Sequence, residues 1–145
     1  MMTSKRTLVG GLVGTLLYLS LGDVATAAED RGGCRAPLEA WTQVELYLGR
    51  NIGGGGVVGE PAFRRFLAEV VTPEFPDGLT VLDGQGQFRD SKGVIVREGA
   101  KVLLILVPDA AAAAGRFDKV IARYKKRFRQ ESVIRVETPV CLAFQ

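Results

Sequence analysis

The sequence of 145 residues has no histidine and only two cysteines. Histidine is the usual general base, the commonest metal ligand and the usual proximal haem ligand, so its absence excludes Ser-His-Asp and Cys-His catalysis. A zinc site would depend on two distant cysteines and carboxylates, which are a poor ligand set. We therefore predict neither a metal site nor a cofactor.

Long hydrophobic runs are also scarce. The apolar run at residues 8–21 has about 14 residues, short of the roughly 20 that span a bilayer. Lys5 and Arg6 precede it, and Ala25-Thr26-Ala27 follows as a small-x-small cleavage site. This is the pattern of an export signal. We predict a signal peptide cleaved near Ala27 and a periplasmic or secreted product without a transmembrane span.

The two cysteines fit an oxidising compartment. An even number near opposite ends of a small exported domain favours one disulfide, Cys34–Cys141, and two free thiols are the alternative. Lipid attachment at Cys34 is disfavoured, because Arg31 stands where a lipoprotein has a leucine-like residue. Glu29 and Asp30 also separate Cys34 from the apolar run.

Positive charge is in small excess, with a formal net charge of +3. Nucleic-acid binding usually requires dense Lys/Arg patches with interleaved aromatic residues, and only residues 123–129 approach that density. We predict no nucleic-acid partner. The same basic stretch has two other interpretations, docking on an anionic envelope surface and a solvated helix end whose cations the helix dipole favours.

Residues 28–40 are predicted to be an irregular lead-in, and residues 41–145 a single domain. Alternating or apolar stretches predict strands at residues 41–48, 79–88, 101–107 and 132–138, with residues 94–98 leading from a turn towards the third. Spacings of three and four predict helices after Pro61 and after Pro108, the first ending at Thr72-Pro73. The order β-α-β-β-α-β is that of a ferredoxin-like α+β fold, a four-stranded antiparallel sheet with two helices on one face. Its first and third strands are central, and its last strand pairs antiparallel with the first.

The stretch at residues 101–107 is apolar on both faces, as a strand buried on both sides would be. The two helices cover only one face of the sheet. The side chains on the other face, either Val102, Leu104 and Leu106 or Leu103, Ile105 and Val107, therefore need something else to cover them. A second copy packed sheet to sheet as a dimeric α+β barrel, a small ligand and the chain's own termini are the alternatives. We expect a homodimer.

Two groups of polar residues are candidate sites. Gln43, Glu45 and Tyr47 share the sheet face away from the helices, where Arg135 and Glu137 of the last strand are expected to join them. The alternative is a Glu45–Arg135 pair that only sets the register. The second group lies across the hairpin, where small glycines give a ligand room to approach: Asp83, Gln85, Gln87, Arg89, Arg97, Glu98 and Lys101. A solvent-facing, bulged hairpin is the alternative.

The glycines from Gly54 to Gly59 match the G-x-G-x-x-G pattern after a strand and before a helix. A dinucleotide site is still disfavoured, because the preceding strand carries Gln43, Glu45 and Tyr47, whereas a Rossmann strand is buried and apolar. We interpret the stretch as a connector or an anion-holding loop.

Two motif blocks, Thr72-Pro-Glu-Phe-Pro-Asp-Gly-Leu-Thr-Val81 and Leu82-Asp-Gly-Gln-Gly-Gln-Phe-Arg89, are followed by Arg97-Glu98. With these blocks, and with Glu45-Leu-Tyr-Leu-Gly-Arg50, the chain resembles the bacterial secreted or lipoprotein family catalogued as domain of unknown function 3574. The resemblance implies an exported single domain without an established reaction. It also implies that the family's motif blocks include the candidate ligand-binding residues Tyr47, Arg50, Asp83, Gln87, Arg89, Arg97 and Glu98.

The sequence favours a non-catalytic module that binds a small ligand or an envelope protein, and it does not decide whether the chain is an enzyme. The alternative function is a small enzyme of the isomerase, lyase or monooxygenase type. It requires Glu45, Tyr47, Arg97 or Glu98 to line one cavity of a dimeric α+β barrel.

Overall fold

The computed structural model describes residues 33–90 and 92–145 and contains a four-stranded antiparallel sheet. In chain order its strands are β1 (Glu39–Gly49), β2 (Thr80–Arg89), β3 (Ile95–Val107) and β4 (Ile134–Leu142). They lie side by side in the order β2-β3-β1-β4, and β1 is antiparallel to both β3 and β4. This confirms the predicted ferredoxin-like α+β fold with the first and third strands in the centre. The predicted signal peptide, residues 1–27, lies outside the described residues.

Two helical segments cover one face of the sheet. The first consists of α1 (Glu60–Phe66), a π-helical turn (Leu67–Val71) and α2 (Thr72–Glu74), and the second is α3 (Ala110–Phe128). The Asp109 carboxylate accepts a hydrogen bond of 2.9 Å from the Ala112 amide and so caps the N-terminus of α3.

The first helical segment continues through Pro73, so the prediction that it ends at Thr72-Pro73 is wrong. A proline inside an α-helix donates no hydrogen bond, and its ring meets the carbonyl four residues earlier. Here the Thr72 amide bonds to the carbonyl of Leu67, five residues back. The wider π turn offsets the helix by one residue ahead of Pro73 and accommodates its ring.

The core lies between the helices and the sheet. Alternation along β1 places Val44, Leu46 and Leu48 on the covered face, where all three are fully buried. The rings of Phe66, Tyr124 and Phe128 pack on one another, and the helices also contribute the buried aromatic side chains of Phe63 and Phe117. The alternate residues of the strands project from the other side of the sheet. We call that side the open face, and it carries Gln43, Glu45, Tyr47, Leu82, Val102, Leu104, Leu106, Ile134 and Val136.

The predicted disulfide is confirmed. Cys34 and Cys141 are joined with their Cα atoms 5.5 Å apart and 107 positions apart in the sequence. Cys141 lies opposite Ala40 in the β1–β4 ladder, so the bridge ties the segment before β1 to the end of β4.

The β2–β3 hairpin extends beyond the rest of the sheet. Pairing of β1 with β3 ends at Gly49 opposite Ala100, whereas β2 and β3 pair for five further positions, as far as Arg89 opposite Ile95. Residues 95–98 and 101–107 therefore belong to one continuous strand. The projecting part, residues 85–99, is about 17 Å long at the usual rise per residue, and we call it the hairpin arm.

The glycine-rich connection after β1 packs against the end of α3. A Cβ atom at Gly53 would lie 2.7 Å from the Arg129 carbonyl oxygen, so only glycine fits there. The Gln130 side chain donates a hydrogen bond to the Asn51 carbonyl. The connection is thus held by the C-terminal end of the helix.

Candidate functional site

A hydrogen-bonded line of side chains runs along β1 in the middle of the open face. Gln43 Nε2 donates to Glu45 Oε1 at 2.8 Å, and Tyr47 Oη donates to Glu45 Oε2. The period of two along a strand brings these three side chains together. The hydrogen bond to Glu45 and its negative charge raise the pKa of Tyr47, so the phenol keeps its proton and remains a donor.

The Glu45 carboxylate lies between apolar neighbours. Its partners across the ladders are Leu104 on β3 and Val136 on β4. No lysine or arginine of the described residues forms an ion pair with it. Anything that covers this face must therefore supply a cation or leave the carboxylate open to water, because a buried lone charge is costly.

Arg135 and Glu137 do not join Glu45, which corrects the prediction for β4. Arg135 lies opposite Leu46 on the covered face, with its guanidinium 4.5 Å above the Phe117 ring and 3.6 Å from the Asp118 carboxylate. The residues on the open face are Ile134 and Val136, and Ile134 is 61% exposed. The long arginine stem substitutes for an apolar residue over the core, so the Glu45–Arg135 pair does not form.

A cleft of about 410 Å³ opens at one end of the open face. It forms because β2 begins at Thr80, opposite Leu104, so the last residues of β3 pair with β1 on one edge and with no described strand on the other. Its apolar walls are Trp41, Phe75, Leu79, Leu104, Leu106, Val107, Pro108 and Phe144. Trp41 and Phe144 meet edge to face at 5.6 Å, and Arg116 stacks 5.1 Å from the Phe75 ring. The size and lining are typical of a site for a small apolar molecule.

Arg50 and Asp83 belong to a different cluster, on the covered side of the sheet. At its centre is Lys101, which is 4% exposed and whose Nζ lies 2.6 Å from Asp83 Oδ1 and 2.9 Å from Glu60 Oε1. Arg50 Nη1 lies 3.1 Å from the same Glu60 oxygen. The hydrogen bonds that Lys101 donates to Asp83 and Glu60 raise the pKa of Lys101, and the bond that Glu60 accepts from Lys101 lowers the pKa of Glu60. These charges satisfy one another and fix α1 to the sheet.

Replacing Lys101 with methionine is expected to lower the free energy of unfolding by about 1–2 kcal/mol at neutral pH, because two charge-assisted hydrogen bonds are lost while both carboxylates return to water. Stability from Lys101 is full below pH 10.5 and is lost as pH rises through its raised pKa. Stability from Glu60 is present above pH 4.5 and is lost as pH falls through its lowered pKa. Urea unfolding of the wild type and of the Lys101 variant across the pH range measures both losses of stability. Lys126→Met, which removes an exposed lysine, is the control. If the Lys101 variant loses stability at high and at low pH just as the wild type does, this assignment is contradicted.

The remaining predicted site residues lie on the hairpin arm. Gln87, Arg89 and Arg97 lie on its covered-side face together with Ile95, and Arg89 Nη1 donates to the Gly93 carbonyl at 3.2 Å. Glu98 lies on the other face and accepts a 3.1 Å hydrogen bond from the Asn51 amide. One chain therefore brings Glu45 and Tyr47 together, and it leaves Arg97 on the opposite side of the sheet.

Sequence reasoning missed the residues of the cleft. Trp41 and Phe144 belong to the two ends of the domain, and Arg116 belongs to α3, so no local pattern links them. The usable signal was the single tryptophan at the start of a strand, because a large aromatic side chain there needs a neighbour.

The described residues contain no group of three or more His, Cys, Asp or Glu side chains able to hold a metal ion. Within the same part of the chain, each helix is too short or too polar to cross a membrane.

The fold is similar to those of solved structures at low sequence identity. A phage SAM lyase in complex with S-methyl-5′-thioadenosine superposes with a TM-score of 0.57 at 15% identity, over 72% of this chain and 90% of that one. The same lyase in its apo state gives 0.55 at 14% identity over the same shares. A Bacillus cereus protein related to NIF3 gives 0.41 at 16% identity, over 71% of this chain and 26% of its own.

No curated protein matches the chain. The profile of one protein family, described as a protein of unknown function, matches residues 43–144, which include the whole hydrogen-bonded line on β1, the hairpin arm and the cleft residue Phe144. The chain therefore belongs to the DUF3574 family.

Proposed function

We propose that this protein is an exported binding module that takes a small apolar ligand in the cleft at the end of the open face. The observation that carries the proposal is the cleft itself, about 410 Å³ with aromatic walls from both ends of the domain. Asp77 and Arg116 also line it and offer opposite charges to the polar end of a ligand. This arrangement, apolar walls with few polar groups, is typical of ligand sites.

We place the module in the periplasm or the medium, after cleavage of the signal peptide near Ala27. The Cys34–Cys141 disulfide supports an oxidising compartment. The homodimer expected from the doubly apolar β3 is part of the same proposal, since Val102, Leu104 and Leu106 lie on the open face, which neither helical segment of the described residues covers.

The binding proposal is tested first by native mass spectrometry of the mature chain, purified from periplasm without reductant. We expect a dimer that carries additional bound mass.

Trp41 is the only tryptophan, so its fluorescence reports on the cleft alone, and we expect 8-anilinonaphthalene-1-sulfonate to quench it on binding. Phe144 forms one wall of the cleft, and its side chain is 79% exposed. Phe144→Ala is therefore expected to weaken dye binding about tenfold with little loss of stability.

Phe88→Ala is the matched control, because it removes the same side chain from the hairpin arm at the far end of the domain. Dye affinity should be unchanged in this variant. A ligand site in the cleft is contradicted if the Phe144 and Phe88 variants bind the dye with equal affinity. It is also contradicted if Trp41 fluorescence does not respond to the dye.

A lyase is the second candidate function. The observation that favours it is the Glu45 carboxylate held by a protonated Tyr47, a pair that can relay a proton on a partly apolar surface. The likeness to the phage SAM lyase is one of fold and supplies a substrate to try. Incubation with SAM, followed by assay for S-methyl-5′-thioadenosine, tests this function, and Glu45→Gln is expected to abolish any turnover. Absence of turnover in the wild type would remove this candidate.

A further inference from the structure

We propose that the hairpin arm of a second copy docks on the open face and places its Arg97 beside Glu45, so that the polar site of this protein is built from two chains. The inference rests on the self-association proposed above and adds which surfaces meet and which residue the second copy supplies.

The hairpin arm is held to the connection after β1 near its base, where Gly99 and Glu98 accept hydrogen bonds from the Arg50 and Asn51 amides. Beyond this base, no third strand of the described residues pairs with the arm. Its two strands pair only with each other for five positions, and a two-stranded ribbon is marginally stable in water. Nevertheless it exposes large apolar side chains, with Phe88 49% and Ile95 47% exposed. An arm of this composition is stabilised when an apolar surface covers one of its faces.

The arm and the open face are complementary in charge and polarity. Ile95 and Arg97 share one face of the arm, and the Arg97 side chain forms no ion pair or hydrogen bond with a described residue. The open face presents Leu104 and Val136 on either side of Glu45, a carboxylate that also lacks an ion pair in the described part of the chain. Docking would cover apolar residues on both surfaces and pair the two charges.

The arm of the same chain cannot make this contact. It continues the β2–β3 ladder in the plane of the sheet, and Arg97 projects from the covered side whereas Glu45 projects from the open side. Bringing them together within one chain would break the ladder. A second copy satisfies the geometry, because its arm can lie across the open face with the side that carries Arg97 turned towards Glu45.

Face-to-face packing of two open faces is less favourable. Glu45 lies near the middle of the central strand β1, so a two-fold axis through the sheet centre would bring two Glu45 carboxylates together. Like charges that are desolvated against each other oppose association. Docking of the arm avoids this contact and brings Arg97 beside Glu45 and Tyr47, from which it is separated within one chain.

Charge reversal tests the contact. Native mass spectrometry and sedimentation at low salt would compare Glu45→Arg, Arg97→Glu, the double variant and an equimolar mixture of the two single variants. We expect each single reversal to raise the dimer dissociation constant about 10- to 100-fold. The double variant and the mixture should both return to within about threefold of wild type, because each restores an Arg–Glu pair between chains. Arg123→Glu, an exposed reversal on α3, should leave the constant unchanged.

Glu45→Gln provides a variant that keeps the shape of the side chain. Arm docking predicts a weaker dimer with glutamine, whereas face-to-face packing predicts a stronger one and no effect of Arg97→Glu. The proposal is overturned if Glu45→Gln strengthens the dimer and Arg97→Glu has no effect. It is also overturned if the wild type is monomeric, or if the double variant does not restore the affinity that the single variants lose. Thermal unfolding of every variant separates misfolding from dissociation. Quenching of Trp41 by the dye in the Arg97 variant reports on the cleft separately, so the two proposals can fail independently.

Discussion

Replacing both Cys34 and Cys141 with serine is expected to lower the free energy of unfolding by about 4 kcal/mol. The bridge joins positions 107 residues apart, so it restrains almost the whole domain in the unfolded chain. Loop-closure entropy grows with the logarithm of loop length and approaches its largest values for a loop of this size. A domain of this size is typically stable by about 5–15 kcal/mol, so the loss is a large part of the total.

Guanidinium unfolding of the oxidised wild type, the reduced wild type and the double serine variant measures this effect. The reduced and the serine forms should agree within about 1 kcal/mol, since both lack the same restraint. Hydrogen exchange should also increase at residues 33–38, which precede β1 and which the bridge ties to the end of β4. A loss below about 1 kcal/mol would mean that the unfolded chain is already compact around these residues.

The parts of the fold that could be predicted are those in which local chemistry and burial agree. Alternation along β1 and the amphipathic pattern of α3 each indicate one buried face, and the structure confirms both. The order of these elements leaves few ways to pair the strands. The cysteine pair added an independent restraint, since it required the beginning of β1 to lie beside the end of β4.

The orientation of β4 could not be predicted, because it depends on a packing contact and not on hydropathy. Ile134 and Val136 would normally face the core, and a shift of one position exchanges the two faces of a strand. The structure instead places Arg135 over Phe117, where its stem packs on the ring and its guanidinium reaches Asp118. A long cation can replace an apolar residue at such an edge, and no local pattern indicates when it does.

The cleft and the hairpin arm were missed for a related reason. Both result from strands of unequal length: β2 begins late and so exposes the end of β3, and β1 ends early and so frees residues 85–99. Gly99 and Ala100 have little β-propensity, and ladder bonds to β2 carry the strand across them. The length of each ladder is decided between strands that are distant in sequence.

Phe117→Ala is expected to cost about 3–5 kcal/mol and also to weaken binding in the cleft. Phe117 is fully buried in the middle of α3, with its ring 4.5 Å from that of Phe75 on one side and 4.5 Å from the Arg135 guanidinium on the other. Removing the ring leaves a cavity, withdraws support from a wall of the cleft, and leaves Arg135 without the surface over which it lies.

Phe117→Leu fills most of the space and serves as the matched control, with an expected loss of about 1–1.5 kcal/mol. Unfolding in urea gives the two stabilities, and quenching of Trp41 by the dye gives cleft affinity under conditions where both variants are folded. Because Phe75 lines the cleft and stacks on Phe117, we expect affinity to fall with alanine and to be largely retained with leucine. If both variants bind like the wild type, the cleft is shaped by its β3 and C-terminal walls, and Phe75 is not held in place by α3.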